Sequence, residues 1–186
     1  MPSMNSLAVK RMSVAEFLVW AQDQDKGRFE LIDGQPVAMA PERAEHVEAK
    51  LNAANALTAA IGQAGIPCKA YVEGLAVVVD GSTSYLPDAL VNCGEPVARD
   101  AMVAPDPVIV VEVLSRSTRG IDTTVKLAGY FRVATLAHYL IVDLGQRHVV
   151  HYRKQADGTV TVAVIADGDI ALDPPGISVA VSSLLA

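Results

Sequence analysis

Two acidic residues stand where their neighbours make them costly. Asp88 lies among Leu86, Ala89, Leu90 and Val91, and Glu112 interrupts the run Val108-Ile109-Val110-Val111-Glu112-Val113-Leu114. Burying an unpaired carboxylate costs several kcal/mol, so each needs a partner, a metal ion or a raised pKa. The two are 24 positions apart, enough for one strand, a loop and a return on an adjacent strand. Carboxylates on neighbouring strands can share a hard divalent cation, and Mg2+ takes one or two of them while keeping several waters. Such an ion turns water into a nucleophile and offsets charge on a phosphate. Lys126 is the third candidate. Asp122, Lys126 and Tyr130 recur at i, i+4 and share one helix face. The first turn of that helix is expected over the C-terminal end of the Glu112 strand. A lysine there orients an attacking water or stabilises developing negative charge.

The elements that must position these residues follow from patterning. Ser13-Val14-Ala15-Glu16 has capping-box spacing and predicts a helix to about Gln24, burying Phe17, Leu18 and Ala21 beside Trp20. Asp33-Gly34 between two apolar-rich runs, Phe29–Ile32 and Gln35–Met39, predicts a hairpin. Residues 42–62 read as a long helix, with Val47, Leu51, Ala54, Leu57 or Thr58, and Ile61 at helical spacing and glycine stops at Gly62 and Gly65. Residues 70–79 predict a strand, Ser82-Thr83-Ser84 a turn, and Tyr85–Cys93 a strand with Pro87-Asp88 inside it. Val108–Leu114 reads as a central strand covered on both faces. A loop over Ser115–Gly120 and a helix from about Asp122 to Val133 follow. His138–Leu144 reads as a second buried strand, and Asp157-Gly158 joins Val149–Arg153 to Thr159–Ile165 as a hairpin. A loop around Pro174-Pro175 and a short terminal segment end the chain. This order makes an α/β or α+β domain, with one mixed sheet flanked by helices and an N-terminal helix and hairpin. Residues 1–186 are expected to form one domain, with 1–11 flexible.

The chain has 186 residues, 51% of them apolar and 19% charged, which excludes global disorder. Aromatics are only 5%, so the core must be built from Val, Leu, Ile and Ala. The net charge of −6 argues against a protein that coats nucleic acid without specificity. A local patch is still present: residues 116–154 carry seven Lys or Arg against the two acids Asp122 and Asp143. Such a patch can track a phosphate backbone, or be an ordinary solvated surface or a dimer contact. Cys68 and Cys93 make no disulfide framework and read as small buried hydrophobes. No apolar run reaches the roughly 18 residues of a membrane span. Lys10 and Arg11 are followed by Glu16 and Asp23 rather than an apolar leader, so a soluble, cytoplasmic protein is expected. There is no Gly-x-Ser-x-Gly elbow and no Walker-type loop, which removes the support for a small-molecule hydrolase.

Pro87-Asp88, then Val111-Glu112-Val113-Leu114-Ser115-Arg116-Ser117-Thr118, then Asp122, Lys126 and Tyr130 together resemble the Uma-two family. Its members are restriction-endonuclease-like proteins of unknown function within the PD-(D/E)XK nuclease superfamily. Phe29-Glu30-Leu31-Ile32-Asp33-Gly34, Pro41 with His46, and His138-Tyr139-Leu140-Ile141-Val142-Asp143 fit as well, so the resemblance covers roughly residues 12–153. It implies a restriction-endonuclease-like core, with Asp88 as the PD aspartate, Glu112 as the second acid and Glu30 as an extra acid near the metal. The superfamily's lysine stands two residues after the second acid, where this chain has Leu114. The resemblance therefore implies a lysine moved to the helix, Lys126. It also implies Mg2+ or Mn2+ held by Asp88, Glu112 and Glu30, a DNA substrate and a homodimer. The family's Ser-Pro-Ser is Ser115-Arg116-Ser117 here.

A rival reading keeps the fold and discards the catalysis: a binding or assembly protein whose charged cluster is a buried structural network. Its components are ordinary. Asp88 can cap a turn or pair with an arginine, and Glu112 can pair with Lys126 alone. Glu30 can be an exposed strand carboxylate, Asp122 a helix N-cap, Asp143 a turn residue, Tyr130 core and His46 a solvated helix residue. His138, His148 and His151 are spaced by ten and three, which matches no standard zinc pattern.

Overall fold

The computed structural model describes residues 11–25, 27–114 and 122–186. Nearly all of the expected flexible segment 1–11, the loop over 115–120 and the side chain of Asp122 lie outside the described residues. The predicted capping box forms: Ser13 Oγ accepts from the Glu16 backbone N–H, and the Glu16 carboxylate accepts from the Ser13 N–H, opening α1 (Val14–Gln22). The predicted hairpin forms too. Asp33 and Gly34 both take positive φ, which is what a two-residue loop between β1 (Phe29–Ile32) and β2 (Gln35–Ala38) requires.

The long helix is α2 (Ala44–Ala64), ended by Gly65 in the left-handed region. Its buried face is rotated from the stripe of largest apolar residues. Val47 and Leu51 are exposed, while His46, Ala49, Lys50, Ala53, Leu57, Ala60 and Ile61 are buried. Alanines on this face bring the helix close to β3 (Cys68–Val72), β6 (Ala89–Cys93) and β7 (Pro107–Val113). They also carry one histidine and one lysine inward with them.

The stretch 70–79 divides into β3 and β4 (Val77–Asp80), and β5 (Thr83–Tyr85) occupies the expected turn. The expected strand 85–93 is broken at Leu86-Pro87-Asp88, which lie between β5 and β6. Proline offers no ladder donor there. β7 is buried at all seven positions, as its β-branched run predicts. After it come α3 (Asp122–Tyr130), β8 (His138–Asp143), β9 (His148–Lys154) and β10 (Val160–Ile165). The C-terminal region holds more structure than a loop and a short segment: β11 (Asp169–Leu172), β12 (Ile177–Ala180) and α4 (Val181–Leu184). The fold class is the expected mixed α+β.

The mixed sheet has six strands in the order β10-β9-β8-β7-β6-β3, with β7 and β8 parallel and the other pairs antiparallel. α3 lies in the crossover joining the parallel pair. The N-terminal hairpin belongs to a second sheet, β2-β1-β5-β4, and β11-β12 form a third. One face of the large sheet packs Ile109, Val111, Val91 and Leu140 under α2 and the C-terminal elements. The other packs Val110, Leu90, Tyr139 and Ile141 with Tyr85 and Tyr130. No helix among the described residues is long and apolar enough to cross a membrane.

The reading of the cysteines needs correction. Cys68 and Cys93 are register partners on β3 and β6 and form a disulfide. Cysteine count carried no signal of this, because the bond depends on register: facing Cα atoms of antiparallel strands approach to about 4.5 Å.

Candidate functional site

Asp88 ends the loop that enters β6, and Glu112 lies near the C-terminal end of β7. Ala89 pairs with Val111, so the next step of the antiparallel register sets Asp88 opposite Glu112. The Val113 N–H donates to Asp88 Oδ2 at 2.7 Å, which fixes the carboxylate against the end of β7. Both acids are buried. Their partners come from different helices on different faces of the sheet.

Asp88 meets α2. Lys50 Nζ lies 2.9 Å from Asp88 Oδ1, and His46 Nε2 lies 3.4 Å from Oδ2. Lys50 also reaches Glu42 Oε1 at 2.5 Å and Glu73 Oε2 at 2.7 Å. Arg28 closes the ring by donating to both Glu42 and Glu73. The Glu73 N–H donates to the Asp88 carbonyl, which ties the end of β3 to the loop. Burial pushes the Asp88 carboxyl up, but hydrogen bonds from His46, Lys50 and Val113 and the Lys50 charge outweigh it and hold the group below its usual range. Glu42 behaves alike: burial raises it, and Lys50 and Arg28 bring it below the usual carboxylate value.

Glu112 meets α3. Lys126 Nζ lies 3.1 Å from Glu112 Oε1 and 2.9 Å from Glu30 Oε1, and Tyr130 Oη donates to Glu112 Oε1 at 2.6 Å. Glu30 Oε1 also accepts from the Leu86 N–H at 2.9 Å. Here burial wins. It pushes the Glu112 carboxyl up to about 8 against the Lys126 charge, with Asp88 and Glu30 adding to the rise. Gly129 permits this docking, since a Cβ there would sit 2.5 Å from Tyr85 Oη. The Lys126 ammonium lies 5.7 Å from the centre of the Tyr85 ring, within cation–π range.

The expected residues are therefore gathered in two adjoining groups. Lys126, Glu112, Glu30 and Tyr130 share one. Asp88 and His46 share the other with Glu42, Lys50, Glu73 and Arg28, none of which the sequence had singled out. Their signal was present but small: His46 and Lys50 are spaced i, i+4 on one face of α2, and Glu42 lies just before the helix. Glu30 is buried rather than an exposed strand acid, Tyr130 is core and hydrogen-bonds Glu112, and His46 is buried rather than solvated. Asp143 accepts from the Gln146 N–H in the turn it was expected to make. His138 on β8 and His151 on β9 touch at 2.8 Å, and His148 is not in that contact.

Glu42, His46 and Asp88 can each present a ligand atom within 4.8 Å of the others. His46 Nδ1 is buried and has no hydrogen-bond partner among the described residues. Two carboxylates and an imidazole suit a divalent ion, so the residues fit the metal that this type of site implies.

Comparisons with known proteins bear on the family and the fold. A family model described as Uma2, putative restriction endonuclease, matches residues 14–185. An uncharacterized protein of Synechocystis, sll1609, is 30% identical over 151 residues, covering 80% of this chain and 84% of that protein. A crystal structure described as a putative nuclease belonging to DUF820, from Anabaena variabilis, superposes with a TM-score of 0.71 at 16% identity. The match covers 94% of this chain and 97% of that one, so the two share a fold. The chain belongs to the Uma2 family of restriction-endonuclease-like proteins.

Proposed function

We propose that this protein is a metal-dependent nuclease that hydrolyses DNA phosphodiester bonds. The observation that carries the reading is the buried pair Asp88 and Glu112, set opposite one another at the joined ends of β6 and β7, each with a lysine from a helix. Asp88 and Glu112 are the acids of the metal site, Mg2+ or Mn2+, and Glu30 is its third acid. A bound divalent ion supplies an activated water and offsets phosphate charge. In this reading Lys126, from α3 rather than β7, takes the part of the superfamily's lysine, supported by its contacts with Glu112 and Glu30. Its ammonium places a fixed positive charge beside Glu112 for a phosphate gaining negative charge. Tyr130 holds Glu112 Oε1, and Gly129 brings the helix near enough for both contacts. A homodimer is the working form in this reading, because two sites about a two-fold axis match the two strands of a duplex. The location in this reading is cytoplasmic.

One observation favours a second reading. Lys50 and Lys126 already face five carboxylates between them, so the cluster also works as a closed ion-pair network in a non-catalytic binding protein. Incubation of supercoiled plasmid with Mn2+ or Mg2+, wild type beside Asp88→Ala, separates the two. The nuclease reading expects metal-dependent nicking by the wild type and a loss of about a hundredfold or more in the variant. Equal cutting by both, or none by either on duplex, branched and single-stranded DNA, leaves the network reading.

A further inference from the structure

Lys50 is 1% exposed and holds three carboxylates, two of which are also the acids of the candidate metal triad. Its ammonium sits 2.5 Å from Glu42 and 2.9 Å from Asp88. A divalent ion held by the same oxygens would meet that ammonium at close range, and two cations cannot share the space without strong repulsion. The histidine differs from both acids. His46 is 9% exposed, and its Nδ1 is buried without a partner among the described residues. Its Nε2 lies 3.4 Å from Asp88 Oδ2, on the carboxylate that Lys50 also holds. A metal seated among Glu42, His46 and Asp88 would take one imidazole nitrogen as its third ligand.

We infer that the Lys50 ammonium and a divalent metal ion compete for Glu42 and Asp88, with His46 as the third metal ligand. Lys50 is thus a positioning residue. It holds the seat in shape while no ion is bound and yields to one. The route for its displacement is already built, because Glu73 also accepts from Lys50, at 2.7 Å, and Glu73 is the most exposed of its three partners. Arg28 holds Glu73 and Glu42 from the solvent side, so the acids keep a counter-charge when Lys50 moves. An imidazole among the ligands selects ions that accept nitrogen, Mn2+ and the later transition metals, over Mg2+, which prefers oxygen and water.

The inference rests on the nuclease reading and shares its Asp88, but it seats an ion on the α2 side with Glu42 and His46 rather than with Glu112 and Glu30, and its test reads binding rather than cleavage. Calorimetric titration of the wild type with Mn2+ and with Mg2+ is the base measurement, followed by Lys50→Met and His46→Gln. Lys50→Met is expected to bind Mn2+ roughly tenfold tighter or more, and His46→Gln roughly tenfold weaker with less preference over Mg2+. Unchanged or weaker binding in Lys50→Met overturns the competition, and unchanged binding in His46→Gln overturns the seat. A Lys50→Met chain that fails to fold leaves the decision to the wild type. Reductive methylation of Lys50, read by mass spectrometry, should speed up when saturating Mn2+ moves the amine toward Glu73. An unchanged rate sinks the proposal. Wild type that binds Mn2+ with these signatures and cuts no DNA keeps the seat and removes the nuclease reading. Metal-dependent nicking with intact Mn2+ binding in His46→Gln does the reverse. No Mn2+ binding by the wild type removes both.

Discussion

The end of the central strand pair carries two buried acids, and the protein solves the same problem for each in a different way. On the α2 side Asp88 stays ionised, because Lys50, His46 and the Val113 N–H all favour the charged form. On the α3 side Glu112 faces one lysine shared with Glu30 and a tyrosine hydroxyl, and its carboxyl rises to about 8. One site offsets burial with counter-charge, and the other offsets it by keeping a proton near neutral pH. The balance of burial against partners decides which: burial prevails at Glu112, and the hydrogen bonds of His46, Lys50 and Val113 with the Lys50 charge prevail at Asp88. Among the described residues Lys50 and Arg28 serve Glu42, Glu73 and Asp88, and Lys126 serves Glu30 and Glu112.

The largest effect that breaks this comparison comes from the two lysines. Lys50→Met leaves Asp88 and Glu42 charged in a buried ring, at a cost of about 3–5 kcal/mol, as for one removed member of a buried ion pair. Lys126→Met leaves an acid that can take up a proton, so its cost should be about 1–3 kcal/mol. Urea unfolding at pH 7 measures both. Equal losses would mean that Glu112 is as firmly ionised as Asp88, and the contrast between the sites would disappear.

The sequence showed the α3 side more clearly than the α2 side, for a physical reason. Glu112 stood out because it interrupts a β-branched run, and Lys126 and Tyr130 lie at short, regular spacing from each other. Asp88 stood out against Leu86, Ala89 and Leu90. Lys50 did not, because lysine on a helix is ordinarily solvated. The stripe of Val47 and Leu51 also pointed to the wrong face. Large apolar side chains weigh most in periodicity, but α2 buries its alanines, since small residues let it approach β6 and β7 closely. The strand break at Pro87-Asp88 and the pairing of Cys68 with Cys93 depend on register, which no local pattern states. The capping box, the Asp33-Gly34 hairpin and the central strand were legible because each is fixed by residues within a few positions of one another.

A middle-sized effect tests the α3 side alone. Gly129→Ala places a methyl 2.5 Å from Tyr85 Oη and 2.6 Å from its ring carbon, so the helix or the ring must shift. The cost should be about 1–3 kcal/mol, in the range for overpacked sites. The consequence is local: Lys126 and Tyr130 move off Glu112 while Lys50 and Asp88 keep their places. Thermal melts give the cost. Mn2+ binding that survives with nicking reduced would sharpen the division, whereas Mn2+ binding lost with it would show that the two sides act as one.

The smallest effect is a difference in pH slope, and its sign separates the two acids. Glu112 has a folded value of about 8 against an ordinary 4.5, so between these values the folded chain binds more protons than the unfolded one. Stability from this group is full below about pH 4.5 and is lost as pH rises through 8. Asp88 is held below its ordinary 3.8. Its contribution is present above that value and is lost as pH falls through the folded one. Glu112→Gln should therefore flatten the decline between pH 5 and 8, and Asp88→Asn should flatten the loss below pH 4. Each slope is at most about 1.4 kcal/mol per pH unit. Denaturation midpoints taken from pH 3 to pH 9 would resolve both. A Glu112→Gln chain with the wild-type slope above pH 5 would mean that Lys126 keeps Glu112 ionised after all. The two sides would then differ in their ligands but not in how they tolerate burial.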